Sequence, residues 1–73
     1  MAYEISHEDD SIWIQDTSSK NIDMDVYACN GEIEIFVNHK IEGNRGISIS
    51  RYSAYKLIQQ LEAMVEQLEK END

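Results

Sequence analysis

Seven residues carry the chemistry this chain has to offer: the rings of Trp13, Tyr27 and Phe36 and the carboxylates of Asp23, Asp25, Glu32 and Glu34. Asp23, Asp25 and Tyr27 recur at every second position, and so do Glu32, Glu34 and Phe36, which in extended chain places each trio on one side of a strand. Rings supply contact area that sheds water on docking, and carboxylates steer a basic surface and fix its register. That is the chemistry of recognition. The same residues have plainer uses, since aromatic rings stabilise cross-strand pairs and acids keep a small domain soluble.

Other reactive groups are sparse. His7-Glu8-Asp9-Asp10 gathers oxygen ligands, but without the spaced acids and glycine of a calcium loop, so it reads as a solvated connection. Asp23 and Asp25 have no third ligand to join them. Cys29 stands beside Glu32, an acidic neighbour that blunts a thiolate, and His39 has no nucleophile near it in sequence. No catalytic residue, metal site or cofactor is assigned, and the chain reads as no enzyme. A small metal-dependent enzyme is the remotest of the readings considered.

The elements that position these groups follow from hydrophobic period and turn chemistry. Asn30-Gly31 sits between two alternating runs, and both residues accept the positive φ of a two-residue hairpin turn. That turn pairs Ala28 with Ile33, Val26 with Ile35 and Met24 with Val37 on an apolar face. On the other face it pairs Cys29 with Glu32, Tyr27 with Glu34, Asp25 with Phe36 and Asp23 with Asn38. Trp13 joins this second face by the alternation of Ile12-Trp13-Ile14. Gly43-Asn44-Arg45-Gly46 predicts a further turn with a loop at 43–45, pairing Glu42 with Gly46, Ile41 with Ile47 and His39 with Ile49. Ser50 is placed as an N-cap accepting from the N–H of Ser53. Beyond it Ala54, Leu57, Ile58, Leu61, Met64, Val65 and Leu68 recur at helical spacing in one apolar stripe.

The whole chain, 1–73, reads as a single α+β domain: an antiparallel four- to five-stranded meander sheet with strands at about 3–6, 11–16, 22–29, 32–41 and 46–50, and one C-terminal helix at about 51–70 packed on one face. A helix of about 20 residues spans roughly 30 Å, comparable to the longest strands. The expectation is that it covers the apolar face and leaves the aromatic and acidic face open. The helix stripe also suits a coiled-coil dimer, a weaker match because the sheet needs cover.

Seventy-three residues with 15 acidic against 6 basic, net −9, cannot build a deep pocket and repel nucleic acid and anionic lipid. Residues 1–16 hold five acids and no Lys or Arg, whereas 39–56 hold Lys40, Arg45, Arg51 and Lys56 against Glu42. One cysteine and no apolar span or leader suggest a cytoplasmic protein that folds on packing alone.

The strand followed by a Ser-capped helix, Ile47-Ser48-Ile49-Ser50-Arg51-Tyr52-Ser53-Ala54-Tyr55-Lys56-Leu57-Ile58, resembles in layout the small acidic proteins encoded by bacteriophages and prophages. The resemblance implies a cytoplasmic, non-enzymatic inhibitor or modulator of host machinery. The acidic ones frequently occupy, as nucleic-acid mimics, the nucleic-acid-binding surfaces of nucleases, restriction or CRISPR complexes, or transcription factors. The expected partner is then a basic, nucleic-acid-binding protein, with no direct contact to nucleic acid or membrane. The alternative is a homodimeric structural or assembly protein that associates through the uncovered sheet face.

Overall fold

A computed structural model of the chain describes residues 5–71. Five antiparallel strands lie side by side in chain order as one open sheet: β1 (Ile5–Glu8), β2 (Ser11–Gln15), β3 (Ile22–Cys29), β4 (Glu32–His39) and β5 (Gly43–Ile49). The helix α1 (Arg51–Glu71) follows. This is the α+β meander that the hydrophobic pattern predicts.

The central hairpin forms as its turn residues dictate. Asn30 and Gly31 both have positive φ, 52° and 81°, and the register from Ile22↔His39 to Cys29↔Glu32 contains every expected pair. Left-handed backbone at both central positions matches the twist of the flanking strands, which is why this short loop locks the longest pairing in the sheet. At the amino-terminal side the strand runs further along the chain than expected, to Glu8. His7 and Glu8 are part of β1, and only Asp9 and Asp10 form the connection to β2, with Glu8 facing Ser11. Residues 3 and 4 of the expected strand lie outside the described residues.

The β4–β5 register differs from the one the glycines suggested. The loop is Lys40–Glu42 rather than 43–45, and the closing pair is His39↔Gly43. Ile35 therefore faces Ile47, and Ile33 faces Ile49. Two local interactions favour this loop. Gly43 takes φ 93°, the left-handed position that ends a three-residue hairpin loop, and His39 Nδ1 accepts the N–H groups of Ile41 (3.1 Å) and Glu42 (3.0 Å). The shift also adds paired residues to β5 while leaving Ile47 and Ile49 on the apolar face, because it moves the register by an even number of positions.

Between β2 and β3 the chain turns on Asp16, whose carboxylate accepts the Ser18 N–H (2.9 Å) and hydroxyl (2.8 Å). These two donors, the backbone one foremost, hold the Asp16 carboxyl below the ordinary carboxylate range. Ser50 caps α1 as its position predicts, accepting the Ser53 N–H at 3.1 Å.

The helix comes against the sheet at β4. Its cover is partial. The stripe stays open from Leu57, 41% exposed, to Leu68, 58% exposed, and only Ala54 is half-buried among the helix residues described. Across the sheet Ile12, Ile14, Met24, Val26, Ile33 and Ile35 are half-buried, while Ile5, Val37 and Ile47 are exposed. Among the described residues no helix is long and apolar enough to cross a membrane.

Candidate protein-binding face

Antiparallel registers align side chains into rows that run across all five strands. Ser6, Trp13, Asp25, Phe36 and Gly46 form one row, and Glu8, Ser11, Tyr27, Glu34 and Ser48 the next. Gln15, Asp23, Asn38 and Asn44 make a third, and Cys29 with Glu32 closes the hairpin end. All seven residues singled out in the sequence thus share one face, the outer face. It holds the carboxylates of Glu8, Asp23, Asp25, Glu32 and Glu34, and among the described residues no strand residue on it is a Lys or Arg.

The rings are held in place by their neighbours. Tyr27 and Phe36 stack with 6.0 Å between centroids and 6° between planes. They are diagonal rather than direct partners, since Tyr27 faces Glu34 and Phe36 faces Asp25, a spacing that long and aromatic side chains can bridge. Phe36 on its other side leans over Gly46, where a Cβ would collide with ring atoms Cδ1 and Cε1. Trp13 lies two strands away in the same row, beyond Asp25. Trp13, Asp25 and Phe36 are half-buried, and Tyr27 is exposed.

The carboxylates are positioned as well. Asn38 Nδ2 donates to Asp23 Oδ1 at 2.7 Å and to Asp25 Oδ2 at 2.8 Å, so one neutral amide bridges two acids on the same strand. Ser48 Oγ donates to Glu34 Oε2 at 2.6 Å. Charge-assisted bonds of this kind fix the side-chain rotamer while leaving the remaining oxygen lone pairs for an incoming donor. Glu32, at the hairpin end, is exposed.

Between the first two rows lies a hollow of ≈ 180 Å³ rimmed by Ser6, Glu8, Ser11, Trp13, Asp25 and Tyr27, its floor formed by the strand segments of His7, Ile12 and Val26. That is below the roughly 300–1,000 Å³ of a small-molecule pocket, and suits one inserted side chain. Two rings and two carboxylates around such a hollow match an Arg or Lys side chain, through cation–π and ionic contact.

Sequence reasoning found the rings and four of the acids but missed Glu8, Gly46 and Ser48. The sequence pattern places Glu8 in the connection at 7–10, and the β5 register it predicts sets Gly46 and Ser48 away from Phe36 and Glu34. The signal for the correct register was present in His39 and Gly43, a capping side chain before a three-residue loop and a left-handed closing residue after it.

No family model matches the chain, and neither does any curated protein or any solved structure.

Proposed function

We propose that this chain is a non-enzymatic binding protein whose outer sheet face occupies a basic surface on another protein, and so inhibits or modulates it. The observation that carries this reading is the sorting of charge across the sheet: five carboxylates and three rings on one face, with no strand cation among them. Trp13, Tyr27 and Phe36 are the contact area that loses water, and Asp23, Asp25, Glu32 and Glu34, joined by Glu8, are the attraction. The hollow between Trp13 and Tyr27 receives a basic side chain of the partner.

A protein surface basic enough to fit so acidic a sheet is also one that attracts phosphate-rich nucleic acid. The partner class we favour is therefore a nucleic-acid-binding protein. Self-association through this same face is the weaker alternative, because it sets carboxylates against carboxylates.

Affinity capture from a lysate of the native host, followed by elution with duplex DNA or RNA, tests the reading. Release of one captured protein by nucleic acid supports occupation of its nucleic-acid site. Capture that nucleic acid does not disturb rejects that partner class, and capture of nothing rejects the binding role.

A further inference from the structure

The opposite sheet face poses a separate problem, because the single chain leaves it without adequate cover. Its rows are Ile22, His39 and Gly43; Ile5, Ile14, Met24, Val37 and Arg45; His7, Ile12, Val26, Ile35 and Ile47; and Ala28, Ile33 and Ile49. In a chain with 15 acidic residues, no strand residue among those described on this face is a carboxylate. Yet none of the described residues is fully buried, and Ile47 is 61% exposed.

The shortfall can be sized. The accessible surface is 6319 Å², whereas a compact monomer of this mass exposes about 4,700 Å². The Cα radius of gyration is 13.9 Å, against about 11 Å for a compact chain of this length. The excess surface, about 1,600 Å² per chain, corresponds to about 3,200 Å² when two chains cover each other, within the range of obligate homodimers.

We propose that a second copy of this chain covers the apolar sheet face together with the helix stripe, in a two-fold symmetric dimer. The charge distribution selects the face, since like copies repel through the five carboxylates of the outer face and meet none from the strands of the apolar one. The helix belongs to the same interface. Ala54, Leu61 and Leu68 recur at seven-residue steps with Leu57 and Met64 between them, and Ile58 and Val65 widen the stripe beyond a two-stranded coiled-coil seam, to the width that packs on a sheet. The dimer then presents its two acidic faces outward. This inference does not depend on the binding role proposed for the outer face.

Light scattering coupled to size exclusion, with thermal melts over a hundredfold range of concentration, tests it on the full chain. The expected mass is twice 8.5 kDa, with a melting temperature that falls by about 3–6 °C per tenfold dilution, as dissociation coupled to unfolding requires. Leu61→Glu with Val65→Glu is expected to halve the mass or abolish the cooperative melt, while Tyr27→Ala with Phe36→Ala leaves the dimer intact. A monomer with a concentration-independent cooperative melt overturns the proposal. So does a dimer dissociated by the outer-face pair and not by the helix pair, or a chain that becomes ordered only when a foreign protein is added.

Discussion

Phe36 on β4 leans over Gly46 on β5, its ring occupying the space where any larger residue would place a Cβ. Glycine in a strand interior weakens pairing and packing, and a neighbouring ring laid across it restores contact on that spot. Gly46→Ala is therefore expected to push the ring aside and break its stack with Tyr27. The loss is about 1 kcal/mol, the scale of an aromatic pair, read as a lower urea midpoint and a changed near-ultraviolet circular dichroism spectrum. An unaltered spectrum and midpoint would show that the ring position does not depend on Gly46.

Asn38 holds two like charges together. With the amide donating to both Asp23 and Asp25, Asn38→Ala removes two charge-assisted bonds and leaves the carboxylates adjacent. Destabilisation of about 1–2 kcal/mol is expected in urea unfolding. Asn38→Asp, which adds a third carboxylate, is expected to be worse than Ala; the reverse order would show that the amide is not a shared donor.

Asp16 sets a pH dependence of stability in the acid range. Its carboxyl is held below the ordinary range by the Ser18 N–H and hydroxyl, so it is more acidic folded than unfolded. The stabilisation is complete above the unfolded-state value and is lost as pH falls through the folded one. Denaturation midpoints measured from pH 6 down to pH 2 should therefore fall less steeply in Asp16→Asn than in the parent chain. Equal slopes would remove Asp16 from the account.

Charge reversal separates steering from contact. Asp25→Lys with Glu34→Lys changes the outer-face charge by four units while keeping all three rings in the sequence, so association with a basic partner should slow by tenfold or more at low salt. Raising the salt shortens the Debye length to about 3 Å at 1 M and should narrow that gap. Surface plasmon resonance across a salt series reads this. Rates equal to the parent's at low salt would contradict electrostatic steering by this face.

Much of this fold was legible because period and turn chemistry agreed. In the central hairpin, Asn30-Gly31 and fourteen flanking residues point to one register, and the structure has it. Ser50 announced the helix start because its hydroxyl has one obvious acceptor role there. The β4–β5 loop was misread because two glycines, Gly43 and Gly46, both invite a turn, and only the His39 cap distinguishes between them. The extent of helix cover was illegible for a different reason. An apolar stripe specifies that it will be covered and does not specify by which copy. The outer face emerged nearly whole because an even-numbered register error keeps each residue on its side of the sheet while changing its neighbours.

The most direct test of the central claim, that the outer face binds a partner, is capture by Tyr27→Ala/Phe36→Ala compared with the parent chain, at matched far-ultraviolet circular dichroism and molecular mass. The account predicts that partner capture disappears while fold and mass stay the same. Undiminished capture by the variant would contradict it.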